Sequence, residues 1–261
     1  MFRTLNHTSR ILVISIVLSP LSSFQCLPAL ADSPRTLIRN AALILTMDPT
    51  VGTGELGILE DADLMFEGDK IKEVGRNLNG VGAAVVDATG KIVLPGFVDT
   101  HDHLWQSLIR GCATGEDLNG WLAACVFPLA GFNFSSVDAF AGVRLSTLDL
   151  ISTGVTTTVD WSHGFTPAFV RGNIQALSDS GLRFVFAYRG SADPAVMDDM
   201  RLVKRTLIDP NPRATFQVGS HPGTAPFFLP NLMAMAKLAK ELSVKLHVHL
   251  LENISQTADQ P

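Results

Sequence analysis

The 261-residue sequence predicts an α/β fold: an incomplete TIM-type (β/α)8 barrel, about five of its eight βα units, preceded by part of a small β-sandwich domain. Three observations carry this. Before Gly90 the chain reads as short strands between turn residues. After Gly90 apolar strands alternate with helical segments, at the interval of parallel βα units. A histidine pair closes the first of those strands, at the end where such barrels place their chemistry.

Residues 1–31 stand apart from the fold. Arg3 and Arg10 flank the start, Ile11–Leu18 is an apolar run, Pro20 interrupts it, and Ala29-Leu30-Ala31 offers small residues to a signal peptidase. The expectation is a secretory signal peptide cleaved before Asp32, and an exported protein, periplasmic or secreted. The run falls short of the ~20 residues that span a bilayer, so no stable membrane span is expected after cleavage. Cys112 and Cys125 then remain. They allow one disulfide in an oxidising compartment but set no framework, and free, partly buried thiols are expected. A hydrophobic fraction of 46% with 17% charged residues excludes disorder. A net charge of -5 without a basic cluster argues against a nucleic-acid partner.

Residues 32–90 form the amino-terminal β-domain. Thr36–Leu45, Ala62–Glu67, Lys70–Val74 and Ala84–Asp87 are strand-like, with Gly52, Gly54, Gly57, Glu67-Gly-Asp69 and Gly80 as turns. Residues 91–261 form the partial barrel, with strands at Ile92–His101, Val155–Trp161, Arg183–Tyr188, Ala214–Gly219 and Val244–Leu250. Ser135 and Asp138 make a capping box, after which Val137, Ala141, Leu145 and Leu148 are expected to line the apolar face. Pro230 opens a helix whose Met235, Leu238, Ala239 and Leu242 recur at helical spacing.

His101 and His103 are i and i+2 on one strand, so their imidazoles project together where the strand ends. Two neutral imidazoles on a rigid strand make half of a tetrahedral metal site. In Val244-Lys-Leu-His-Val-His-Leu-Leu-Glu252 the histidines 247 and 249 again share a face. His249 is nearer the carboxyl end, and Glu252 follows three residues later. His247, one layer deeper, reads as a packed or supporting histidine. Asp99 is expected on the inward face with His101, and His163 either lines the barrel mouth or sits on a surface loop.

Leu94-Pro-Gly-Phe-Val-Asp-Thr-His-Asp-His103, then Arg110-Gly111, Gly154-Val-Thr-Thr-Thr-Val-Asp160, Gly219-Ser-His-Pro222 and His249-Leu-Leu-Glu252 together resemble the amidohydrolase superfamily. Within it, the chain is most similar to the branch of cytosine, guanine and S-adenosylhomocysteine deaminases and triazine chlorohydrolases. The likeness runs from about Arg35 to Pro261. It implies His101, His103 and His249 as ligands of one divalent metal, zinc first and iron second. It implies Glu252 as the catalytic proton shuttle and His221 as a substrate-binding histidine. The implied activity is hydrolytic deamination of a small-molecule N-heterocyclic substrate at a C–N bond that is not a peptide bond. The fourth strand lacks the lysine that bridges two metals, so one metal is expected. A homo-oligomer is compatible with these features.

The same pattern calls for a histidine on a sixth strand and an aspartate on an eighth. No histidine follows His249, and Asp259 lies only seven residues beyond Glu252. The expectation is an amino-terminal piece with two open sheet edges and impaired activity. The alternatives are a non-catalytic remnant, an envelope metal- or solute-binding protein, and a carboxamide hydrolase or chlorohydrolase on the same fold.

Overall fold

The computed structural model describes residues 34–221 and 228–250. The expected signal peptide, Glu252 and Asp259 lie outside the described residues. The chain divides into two compact units between Leu94 and Pro95.

The first unit is a five-stranded sheet of β1 (Arg35–Leu45), β2 (Ile58–Glu67), β3 (Lys70–Gly75), β4 (Ala83–Asp87) and the short β5 (Ile92–Val93). β2 runs antiparallel to β1 and β3, while β4 and β5 pair parallel to β1. Leu37, Ala41, Ile44, Ala62, Leu64, Met65, Leu78 and Ala88 are its buried apolar residues among those described. The register of β1 slips at Asn40, which takes φ 60°. Buried Asp63 holds that bulge by accepting from the Asn40 N–H (2.8 Å) and, with its other oxygen, from the Leu78 N–H (3.0 Å).

The second unit carries a parallel sheet in the order β10-β9-β8-β7-β6, with β6 (Phe97–Asp102), β7 (Val155–Ser162), β8 (Arg183–Arg189), β9 (Ala214–Ser220) and β10 (Leu246–Val248). Helices α1 (Leu118–Trp121), α2 (Ser136–Ser152), α3 (Pro167–Ser180), α4 (Pro194–Val203) and α5 (Phe228–Glu241) lie between the strands. This is the expected βα alternation. The strand expected over Ile92–His101 is broken, however. Ile92 and Val93 pair with β1 in the first sheet, and pairing with β7 begins only at Phe97. Pro95 has no N–H to give a ladder, and Gly96 sits so close to Thr156 that a Cβ there would collide with its side chain.

Two further expectations need correction. The capping box forms, with the Ser135 N–H donating to Asp138 (2.8 Å) and the Asp138 N–H to the Ser135 hydroxyl (3.4 Å). The buried face of α2, however, is Ala139, Gly142, Val143 and Thr147. Val137 (72% exposed) and Leu148 (50%) face outward. The helix turns its small residues inward because its contact is close: a Cβ on Gly142 would stand 2.6 Å from the Trp105 carbonyl oxygen. The cysteines are also not free. The segment after β6 turns back through α1, bringing Cys125 to a Cα separation of 6.1 Å from Cys112, and the two are disulfide-bonded. In α5 the helical spacing holds, with Met235, Leu238 and Ala239 buried.

Candidate metal centre

The sheet of the second unit curls enough for the carboxyl ends of its first and last strands to meet. The register between β6 and β7 shifts between Asp99 and Asp102, where three steps on β6 match two on β7. This bulge changes which face each side chain takes. Asp99, expected beside His101, accepts instead from the Thr158 hydroxyl (3.2 Å), on the side of the sheet from which Asp160 reaches α3. His101 and His103, past the bulge, point to the other side.

His249 follows β10 directly and is buried. One ring nitrogen each from His101, His103 and His249 lies within 4.8 Å of the others. The Nε2 atoms of His103 and His249 are 3.1 Å apart. Two nitrogens bound to one tetrahedral zinc at about 2.0–2.1 Å stand about 3.3 Å apart, so the observed spacing suits a shared cation. His103 donates through Nδ1 to the Trp161 carbonyl (2.7 Å), which leaves its Nε2 with a lone pair toward His249. His101 Nδ1 meets His247 Nε2 at 3.0 Å, so His247 supports a ligand rather than joining the cluster.

Burial keeps the rings of His103 and His249 neutral. Burial, with smaller repulsion from neighbouring histidines, depresses His103 to about 4 and His249 to about 3. Burial also lowers His247 and His221. Neutral imidazoles near neutral pH are what a metal requires. The Nδ1 of His249 is buried without a hydrogen-bond partner among the described residues. The donor set therefore fits a divalent cation.

His221 lies at the end of β9, its ring 5.9 Å from His249 and 6.4 Å from Trp161. His163 is buried rather than on a surface loop, 4.9 Å from the His103 ring, and Trp105 Nε1 donates to its Nδ1 (3.1 Å). Trp161 packs edge-on against His249 at 4.1 Å. Three residues of this neighbourhood are not evident from the sequence. They are Trp161, Asp160 and Arg189, the last ending β8 near His163 and His221. Each lies on a strand in which position alone does not reveal a role. The alternation Val159, Trp161, His163 against Asp160, Ser162 was the available signal.

The amidohydrolase family profile matches residues 92–260. The 5-methylthioadenosine/S-adenosylhomocysteine deaminase of Symbiobacterium thermophilum is 32% identical over 212 residues, 77% of this chain and 47% of that protein. An isoxanthopterin deaminase from an unknown prokaryotic organism is 29% identical, covering 85% of this chain and 51% of the relative. A solved triazine hydrolase from Arthobacter aurescens superposes with a TM-score of 0.70 at 25% identity, over 84% of this chain and 53% of that one. The chain thus spans about half the length of the curated relatives it matches.

Proposed function

Because the chain belongs to the amidohydrolase family, we propose that it serves the hydrolytic deamination of a small N-heterocyclic substrate, with one divalent cation held by His101, His103 and His249. The convergence of those three ring nitrogens within 4.8 Å carries the reading. That relatives act as deaminases supports the substrate class. When bound, a divalent cation supplies a water acidified to about neutral pH. Zinc suits a histidine-rich set, and iron is the second choice.

The chain's own groups then divide the work. His101 and His103 are oriented through their second nitrogens by His247 and the Trp161 carbonyl, and the carbonyl holds the His103 lone pair inward. Glu252, three residues past His249, would carry a proton to the substrate ring. His221 and Arg189 border the same space and would meet the substrate's polar edge. The likeness to a triazine hydrolase favours, as a second reading, hydrolysis of a triazine at the same site. Export is part of the proposal, supported by the leader-like residues 1–31 and by the Cys112–Cys125 disulfide.

The test is to purify the exported chain, load it with zinc and follow ammonia release from adenine nucleosides, pterins, guanine and cytosine. Zinc-dependent release abolished by Glu252→Gln is expected. Tight zinc uptake without turnover of any of these would favour a capture protein instead, and no zinc uptake would overturn the reading.

A further inference from the structure

Asp160 is fully buried in the middle of the second unit, and the reaction outlined above gives it no task. Its carboxylate faces away from the histidines. One oxygen accepts the backbone N–H of Leu104 (3.2 Å), the residue after His103. The other lies 3.5 Å from Nδ2 of Asn173, a buried residue of α3 that also donates to the Ser162 hydroxyl (2.9 Å). The residue between Asp160 and Ser162 is Trp161, whose carbonyl takes the His103 Nδ1 proton.

These bonds form a closed brace. Asn173 ties residues 160 and 162 to α3, residue 161 holds the His103 ring, and residue 160 holds the backbone that carries that ring. His103 is thereby fixed at two points, by one contact to its side chain and one to its main chain. The bulge in β6 makes the second point necessary. Past Asp102 the ladder with β7 stops, and His103 lies outside the strand, with its own N–H turned to the Asp102 carboxylate (2.6 Å). Without Asp160, the Leu104 N–H would be a buried donor with no partner, and the turn would be free to shift.

We infer that Asp160, supported by Asn173, is a positioning residue that sets the orientation of His103 as a metal ligand. This rests on the reading of His103 as a ligand. Asn173 is legible as part of it only in the fold, since 13 residues separate it from Asp160 in the chain.

The test compares the full chain with Asp160→Ala and Asp160→Asn. The readouts are zinc affinity by chelator competition, the visible spectrum of the cobalt(II)-loaded protein, and thermal unfolding without metal. Asp160→Ala is expected to weaken zinc binding by about 10- to 100-fold and to alter the cobalt bands. Asp160→Asn, which keeps an oxygen for the Leu104 N–H, should restore both to within about threefold of wild type. If Asp160→Ala shows no cooperative unfolding, Asp160→Ser, too short to reach Leu104, carries the same expectation. Wild-type affinity and an unchanged cobalt spectrum in the short variants would overturn the positioning role. A wild-type chain that takes up no zinc would instead overturn the metal centre itself.

Discussion

The imidazole of His103 donates through Nδ1 to the Trp161 backbone carbonyl at 2.7 Å, while its Nε2 stands 3.1 Å from Nε2 of His249. A carbonyl can only accept, so this contact fixes the tautomer. The lone pair of His103 must face the carboxyl end of the sheet, where β6 and β10 converge. Loss of that lone pair should be felt directly. His103→Ala and His249→Ala should each weaken zinc binding at least 100-fold, measured by calorimetry, while His247→Ala, which removes only a support for His101, should cost about 10-fold.

Asp160 makes stability depend on pH. Burial raises its carboxyl to about 7, against 3.8 in an unfolded chain. Between these values the folded state keeps a proton that the unfolded state releases, so this group's contribution to stability falls as pH rises from about 4 to about 7. Asp160→Asn mimics the protonated form. Its stability relative to wild type should grow across that interval and level off above it, as followed by urea unfolding at successive pH values.

His103 gives the opposite slope in the metal-free protein. Its folded value of about 4 lies below the unfolded 6.5, so the unfolded state takes up the proton first as pH falls. Stability should therefore drop from about pH 6.5 down to about 4, and His103→Gln should flatten that part of the profile.

The Cys112–Cys125 bond spans 13 residues. A loop of that size, closed in the unfolded chain, is worth about 3 kcal/mol. Denaturant midpoints measured with and without reductant should differ accordingly, and the Cys112→Ser, Cys125→Ser double variant should lose the response.

Gly142 tests the packing of α2. Alanine should gain up to about 1 kcal/mol in helix propensity. The added Cβ, however, would meet the Trp105 carbonyl oxygen at 2.6 Å, and a backbone atom cannot step aside cheaply. Overpacking of this kind costs about 1–3 kcal/mol, so Gly142→Ala should be net destabilising in thermal unfolding. Leu148→Ser, on the exposed face, should change stability by no more than about 0.5 kcal/mol.

Much of this was legible in the sequence because it depends on local periodicity. The i, i+2 spacing of His101 and His103 and the alternation through His247 and His249 placed four rings on the proper sides of two strands. What was not legible depends on tertiary contact. The apolar face of α2 was misread because Gly142 and Ala139 bring the helix close to its neighbours, a preference that hydrophobicity does not encode. Asp99 was put on the wrong side because the bulge between Asp99 and Asp102 leaves no mark in the residue types of the strand. The brace through Asn173 joins residues that meet only once α3 has packed on β7.

The most direct measurement is zinc K-edge absorption spectroscopy of the zinc-loaded chain. Three imidazole nitrogens at about 2.0–2.1 Å, falling to two in His249→Ala, are the result expected. A zinc environment with fewer than three imidazoles, or one indifferent to the loss of His249, would contradict the metal centre.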